Sequence, residues 1–305
     1  AIDFPGDTNS YVELPLQTRF ALPQFTLEAW IRPDTATGEQ TVVVRQVAAA
    51  QYNYRLYLDN GVPTVQFHQG DGTAVNLAAP AAVTADGATW THLAATYDDN
   101  SQTLALLVNG AQVNSVVADS GPVTNGVGPT HTRIGPNFDG LLDDVRFWIG
   151  ALNEHTISEQ RGIVLPCITV GLVSYFRFDD GTSGSPGADG IWGNADDAAG
   201  VDGIAGNADD PSFLTGQVED FDTTNFQDGW LTDWINHGTL VGTVAFHDLT
   251  PRTSPVSDAL TDTDGDGIAD NWEYYYWENL TTANATSDSD GDGLDDLYEY
   301  LAGTD

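Results

Sequence analysis

The stretch Phe25-Thr-Leu-Glu-Ala-Trp-Ile-Arg32 decides the fold class of this chain of 305 residues. Its apolar residues occupy every second position and share one face: Phe25, Leu27, Ala29 and Ile31. Side chains alternate across a β-strand, so a period of two is typical of a strand with one buried face. The stretch therefore predicts a half-buried strand.

The same alternation continues through residues 1 to about 150. The turn signals Asn60-Gly61 and Asn109-Gly110 separate neighbouring runs, because these residue types tolerate positive φ. A short turn around 153–160 is the one helical pattern in this half. Further strands are predicted at 41–47, 52–59, 63–69, 90–97, 104–108, 112–117 and 142–147. The predicted fold class is mainly β, an antiparallel β-sandwich.

Several of these motifs, in their order along the chain, resemble a laminin-G-like domain. The resemblance spans most of residues 1–162 and implies a concanavalin A-like jelly roll. The motifs that carry it are Ala1-Ile-Asp-Phe-Pro-Gly6, Tyr11-Val-Glu-Leu-Pro15, Phe25-Thr-Leu-Glu-Ala-Trp-Ile31, Trp90-Thr-His-Leu-Ala-Ala-Thr-Tyr97, Leu107-Val-Asn-Gly110 and Phe138-Asp-Gly-Leu-Leu-Asp-Asp-Val-Arg-Phe-Trp148.

Two strings beyond the closing strand resemble segments that usually open such a domain, at 171–180 and 233–242. The simplest interpretation is a circular permutation in which 171–180 and 238–247 complete the same sandwich. The alternative is that they complete a neighbouring molecule. The predicted division of the chain is a sandwich over 1–250 with an acidic Gly/Asp insertion at 183–228, a linker at 251–261, and a calcium-binding region at 262–305.

Two twelve-residue segments in that last region have the spacing of EF-hand calcium loops. Oxygens fall at loop positions 1, 3, 5, 9 and 12, a backbone carbonyl falls at position 7, and glycine allows the sharp turn at position 6. The cofactor predicted is calcium. Its predicted ligands are Asp262, Asp264, Asp266, Ile268, Asp270 and Glu273 in the first loop and Asp288, Asp290, Asp292, Leu294, Asp296 and Glu299 in the second.

The two loops resemble bacterial thrombospondin type 3-like repeats through the pattern Asp-x-Asp-Gly-Asp-Gly-Leu/Ile-x-Asp-x-x-Glu. Each loop is expected to lead into a short helix, over 270–279 and 295–302. The first of these helices is crowded with aromatic residues, which suits either a contact with the sandwich or an intermolecular surface.

A repeat with a period of 13 inside the insertion is a further candidate cation site. Hard cations prefer oxygen ligands, and calcium needs six or more of them. A solvated Gly/Asp loop would explain the same composition, and both interpretations stay open. The candidate ligands are Asp189, Asn194, Asp196, Asp197, Asp202, Asn207, Asp209 and Asp210.

Charge and composition limit the partners and the location. The chain carries 45 acidic residues against nine arginines, a net charge of −36, which argues against nucleic acid or an anionic membrane as partner. No apolar run reaches ~18 residues, so membrane insertion is not expected. A single cysteine, Cys167, rules out an intrachain disulfide, and calcium loops suit calcium-rich surroundings. The predicted location is extracellular, secreted or at the cell surface.

No catalytic pattern stands out, so the protein is expected not to be an enzyme. The sandwich glutamates form no carboxylate cluster of the kind a glycosidase needs, and the histidines show no zinc spacing. A hydrolase or lyase with unrecognised residues remains a third alternative.

Two non-enzymatic functions are favoured over a hydrolase or lyase. The first is a calcium-binding structural or adhesive surface protein, a filament subunit whose partner is itself. The second is a calcium-dependent lectin whose partner is a glycan or cell-surface ligand. Exposed aromatics near a cation site would favour a lectin, and aromatics buried at subunit contacts would favour a filament. The candidates are Trp192, Trp230, Trp234, Trp272 and Trp277.

Overall fold

A computed structural model describes residues 1–125, 130–163, 165, 170–178, 217–218 and 238–246, together with scattered residues between 266 and 297. These residues form two eight-stranded antiparallel sheets. The strands are β1 (Ile2–Pro5), β2 (Tyr11–Leu14), β3 (Phe25–Pro33), β4 (Glu39–Ala48), β5 (Gln51–Asp59), β6 (Val62–His68), β7 (Ala74–Ala78), β8 (Thr91–Asp98), β9 (Thr103–Val108), β10 (Ala111–Val117), β11 (His131–Ile134), β12 (Asp139–Ile149), β13 (Leu172–Phe176), β14 (Gln217–Val218), β15 (Gly238–Val241) and β16 (Ala245–Phe246).

Sheet A has the strand order β10-β9-β8-β3-β12-β1-β16, and β13 pairs with β12 beside β1. Sheet B has the order β14-β15-β2-β11-β4-β5-β6-β7. Every strand pair is antiparallel, as the alternating pattern predicts. The predicted mainly β antiparallel sandwich, consistent with a jelly roll, is confirmed.

The core lies between the two sheets and is built from their alternating apolar residues. On β3 the face predicted to be buried, from Phe25 to Ile31, is fully enclosed. Aromatic rings from opposite sheets meet there, and the centroids of Phe67 and Tyr97 are 4.9 Å apart in an edge-to-face contact. Burial of this continuous apolar layer is the main force that holds the two sheets together.

The strings predicted at 171–180 and 238–247 contribute strands to both sheets of the same chain. β13 pairs with the second half of β12, through Val145 opposite Phe176. β15 extends sheet B beside β2, and β16 extends sheet A beside β1. The first half of β12 pairs with β1, so β1 and β13 lie end to end along the same edge of one long strand.

Helix α1 (Glu154–Gln160) lies on the outer face of sheet A. The Asn153 side chain caps it by accepting a hydrogen bond of 2.9 Å from the Thr156 backbone N–H. Ile157 is its buried anchor and packs on Ala94 and Leu107. Among the described residues, no helix is long and apolar enough to cross a membrane.

Candidate functional site

The outer face of sheet A is closed around Glu28. Thr26 and Glu28 point away from the core, yet both are buried, because the chain after β12 folds back over them. Trp148 packs there with Leu165 and Leu172 in a second, smaller apolar cluster. A ligand therefore has no access to this face at Glu28.

Glu28 lies at the centre of a polar network beneath that cover. Its Oε1 accepts a hydrogen bond of 2.6 Å from the Trp148 indole, and its Oε2 lies 3.3 Å from Nε2 of His92. Burial alone would raise the pKa of Glu28, but His92 and the charge of Arg146 outweigh burial and lower that pKa. Burial also lowers the pKa of His92, so the carboxylate is charged and the imidazole is neutral at pH 7.

Arg146 connects this network to the chain that follows β12 and covers Glu28. Its guanidinium donates to the carbonyls of Gln160 at 2.8 Å and Ile163 at 2.7 Å. It also stacks on the Tyr175 ring, 4.8 Å from the centroid. Burial raises the pKa of Tyr175, so its hydroxyl stays protonated and donates to Asp144. The network joins β3, β8, β12, β13 and the turn after α1.

The outer face of sheet B is different, because partly exposed polar side chains line it. The strand registers place one residue from each of six neighbouring strands in a single row across the sheet. In order from β2 to β7 the row is Glu13, Arg133, Val44, Arg55, Gln66 and Asn76. We call these six residues the polar row.

Arg55 is held in place from three sides. Its guanidinium stacks on Tyr57, 4.1 Å from the ring centroid, and lies 5.5 Å from the centroid of Tyr52. Its Nη2 donates to Glu39 at 2.9 Å and to the Thr41 hydroxyl at 3.1 Å. Aromatic stacking and a charge-assisted hydrogen bond together fix the plane of a side chain that would otherwise be mobile.

Arg133 has a similar environment on the other side of Val44. Its Nε donates to Glu13 at 2.5 Å, and its guanidinium stacks on Tyr11 at 4.0 Å from the ring centroid. His131, two residues earlier on the same strand, has its pKa lowered to about 4 by burial and by the nearby charges of Arg133 and Arg45. His131 is therefore neutral at physiological pH, and the charge of this face is set by its arginines and glutamates.

The polar row offers a shallow, extended surface with planar guanidinium, carboxylate and amide groups beside tyrosine rings. Such a surface can give many hydrogen bonds to a ligand that carries hydroxyl groups, and its rings can pack against C–H groups.

The predicted calcium loops fall only partly on described residues. In the first loop, the Ile268 backbone N–H donates to Asp266 at 2.9 Å, and Ile268 is fully buried against Ala283. Glu273, at position 12, is fully buried, and Asp288, at position 1 of the second loop, is exposed. The described residues contain no group of three His, Cys, Asp or Glu side chains arranged to hold a metal.

Asp296 shows a role that the spacing did not predict. Its Oδ1 accepts a hydrogen bond from the Ser289 backbone N–H at 2.8 Å, and its Oδ2 accepts from the Ser289 hydroxyl at 2.7 Å and from the Ser287 hydroxyl. Burial would raise the pKa of Asp296, but these hydrogen bonds lower it. Asp296 therefore stabilises the loop through hydrogen bonds to Ser287 and Ser289.

The remaining predicted site residues lie outside the described residues. They are the loop ligands Asp262, Asp264, Asp270, Asp290, Asp292, Leu294 and Glu299, all eight candidates of the insertion, and Trp192, Trp230, Trp234 and Trp272. Of the candidate aromatics Trp277 alone is described, and it is half-buried and packs against Ile268 and Ala283.

The polar row was missed by reasoning from the sequence. Its signal was present in β5, where Arg55 and Tyr57 alternate with the core residues Leu56 and Leu58. The pattern alone shows that Arg55 leaves the core, but not that Arg133 lies two strands away in the same row. That placement depends on the register of β11 against β4.

These observations define a class: a two-sheet antiparallel jelly roll whose one outer face is covered around Glu28 and whose other outer face is polar and aromatic. Residues 6–158 match a laminin G family model described as the concanavalin A-like lectin/glucanases superfamily. The chain belongs to this superfamily. None of the curated proteins compared with it matches.

Solved structures share the fold at low sequence identity. A Bacteroides ovatus protein provisionally described as carbohydrate-binding is 18% identical with a TM-score of 0.52, over 81% of this chain and 60% of its own. This chain thus spans 60% of that protein's length. The CBM40 of a Ruminococcus gnavus IT-sialidase bound to α2,3-sialyllactose is 15% identical with a TM-score of 0.43, over 52% of this chain and 97% of its own. A heptameric SAP-like pentraxin from Limulus polyphemus is 15% identical with a TM-score of 0.41, over 52% and 79%.

Proposed function

We propose that this protein is a carbohydrate-binding module and that the polar row is its saccharide site. The observation that carries the proposal is the row itself, in which two arginines stacked on tyrosines flank Val44, with Gln66 and Asn76 beyond. Membership of a superfamily of lectins and glucanases supports it, and so does the provisional description of the Bacteroides ovatus protein.

A saccharide would lie along the polar row, across the strands. Its hydroxyls would replace water at the guanidinium and amide groups, and its C–H face would contact the tyrosine rings. Since Arg55 and Arg133 are already oriented by ion pairs and stacking, little conformational entropy would be lost on binding.

We propose that the module does not cleave its ligand. Glu13 of the row and Glu39 beside it are each ion-paired to an arginine. Each is therefore engaged as an anchor, whereas a glycosidase needs one carboxyl group free to donate a proton. Release of reducing ends from a bound oligosaccharide would contradict this part of the proposal.

Replacing Arg55 with alanine should lower the affinity for a saccharide about tenfold, because the substitution removes a charge-assisted donor and the partner of Tyr57. A glycan array would identify a binding oligosaccharide, and titration calorimetry would compare the variants. Arg32→Ala is the matched control, since Arg32 stacks on Trp90 at 5.5 Å but extends from β3 of sheet A.

Loss of binding confined to Arg55→Ala supports the site. If both variants bind as tightly as the parent, the saccharide binds elsewhere on the chain. An array on which no glycan binds would refute the proposed function.

We further propose that the C-terminal region consists of thrombospondin type 3-like repeats that bind calcium. The support is the spacing of oxygen-bearing residues in both loops, together with the burial of Ile268, whose backbone carbonyl occupies position 7. Calcium would neutralise the carboxylates of each loop and so hold the loop closed.

Chelation should therefore open residues 262–305 and leave the sandwich intact, because the crowded carboxylates repel one another without the cation. Limited proteolysis followed by mass spectrometry, with and without calcium, would show new cleavages confined to that region. Asp266→Ala should raise the calcium concentration needed for protection, whereas Asp258→Ala, in the predicted linker, should not. Identical cleavage with and without calcium would refute the repeats.

An extracellular location and assembly into calcium-bridged filaments remain predictions from the sequence. Both depend on the calcium loops, and light scattering during a calcium titration is the direct test of assembly.

A further inference from the structure

Arg133 is positioned to recognise a planar anion. Glu13 holds its Nε, and the Tyr11 ring supports its plane. Within the described part of the chain, its two terminal nitrogens make no hydrogen bond, and 29% of its side chain is exposed. The end of the guanidinium that offers two parallel N–H donors is thus the end left for a ligand.

The local charge at this point is less negative than that of the chain as a whole. The chain as a whole carries −36, which would repel an acidic ligand from most of its surface. On the polar row, however, each glutamate is matched by an arginine: Glu13 by Arg133, and nearby Glu39 by Arg55. His131 is neutral, so this face carries no net negative charge from those residues. An anion that binds there replaces no ion pair, since Glu13 uses only Nε.

We infer that the saccharide bound by the polar row is acidic, and that Arg133 binds its carboxylate through both terminal nitrogens. This inference rests on the proposed function and specifies its ligand class. Planar carboxylate matches the fork of a guanidinium, and that match is worth more than a hydrogen bond to a neutral hydroxyl.

The rest of the row would bind the neutral part of the same saccharide. Arg133 and Arg55 both lie opposite Val44, so their Cα atoms are about 10 Å apart, twice the spacing of neighbouring strands. Val44, which is 6% exposed, lies between them, and Gln66 and Asn76 continue the row on the far side of Arg55. A sugar acid at Arg133 would therefore place its next unit over Val44 and toward Arg55.

The test compares acidic oligosaccharides with their own neutral forms. An array would present oligomers of galacturonate, glucuronate and mannuronate, each beside its carboxyl-reduced counterpart, and the best pair would be titrated by calorimetry at physiological salt. We expect the acidic form to bind about ten- to hundredfold more tightly. Arg133→Gln should abolish that difference, because the acidic form then loses its paired donors and falls further in affinity than the neutral form.

Two further variants separate the geometry of Arg133 from its charge. Arg133→Lys keeps the charge but loses the fork, so it should recover only part of the preference. Arg32→Gln removes the same charge from sheet A and should leave the preference unchanged. Thermal melts would verify that every variant is folded.

The outcomes distinguish the two proposals. Equal binding of acidic and reduced forms would overturn the ligand class and leave a carbohydrate-binding module. A preference for the acid that survives Arg133→Gln would overturn the role of Arg133. Failure to bind any glycan, acidic or neutral, would overturn the proposed function and the inference with it.

Discussion

Arg146→Met is expected to lower the free energy of unfolding by about 3–5 kcal/mol, because it leaves buried carboxylates without their counter-charge. Arg146 is 1% exposed, and its guanidinium lies 3.9 Å from Asp144 and holds the carbonyls of Gln160 and Ile163. Glu28 depends on the same positive charge. In a chain of this size such a loss corresponds to a melting temperature lower by about 10 °C.

A second set of substitutions separates two causes of the stability loss in Arg146→Met: uncompensated buried charge and lost packing. If uncompensated charge causes most of the loss, Glu28→Gln and Asp144→Asn should restore stability when they are added to Arg146→Met. Arg55→Met is the single-arginine control, because its ion pair with Glu39 is partly exposed and should contribute less than about 1 kcal/mol. A triple variant less stable than Arg146→Met would show that hydrogen bonds and packing dominate instead.

The sandwich could be predicted from the sequence because its signal is local. On β3 the alternation from Phe25 to Ile31 identifies the buried face without any knowledge of the partner strands. The hairpin turns are local in the same way: Asn60 and Asn109 both have positive φ, as the Asn-Gly pairs predict.

Short strands and bulges could not be read from the sequence in this way. β11 has four residues, too few for a clear period, and it was missed although it carries Arg133. Tyr52 lies two residues before the core residue Tyr54, and a regular strand would place both on one face. The register shifts between Arg45 and Gln46 of the partner strand, however, and puts Tyr52 opposite Gln46. The bulge turns Tyr52 toward Arg55 on the outer face.

The buried network was beyond prediction for a related reason. Glu28 and Trp148 are 120 residues apart and meet only because β3 and β12 are neighbours in sheet A. On its own strand Glu28 has Thr26 and Trp30 as same-face neighbours. Its actual partners come from β8 and β12, and their contact depends on the bulge between Asp143 and Arg146.

Gly140→Ala is the second substitution for which we expect a large effect, a loss of about 3–5 kcal/mol. Gly140 lies in β12 between Phe4 of β1 and Pro33 of β3 and has a φ of +132°. A Cβ there would lie 2.3 Å from the Arg32 carbonyl oxygen, a backbone atom that cannot rotate away. The strained backbone would cost about 1–3 kcal/mol, and displacement of β3 would add a similar amount.

Gly150→Ala is the control that separates these two contributions. Gly150, just after β12, also has a strongly positive φ of +107°, but no heavy atom lies within 4 Å of its added Cβ. It should therefore lose only the strain component. Chemical denaturation of both variants would give the difference, which measures how closely β12 and β3 are held together at Arg32. If the two variants lose equal stability, the contact with the Arg32 carbonyl adds nothing to the loss. The end of β3 could then shift away from β12 without lowering the free energy of unfolding.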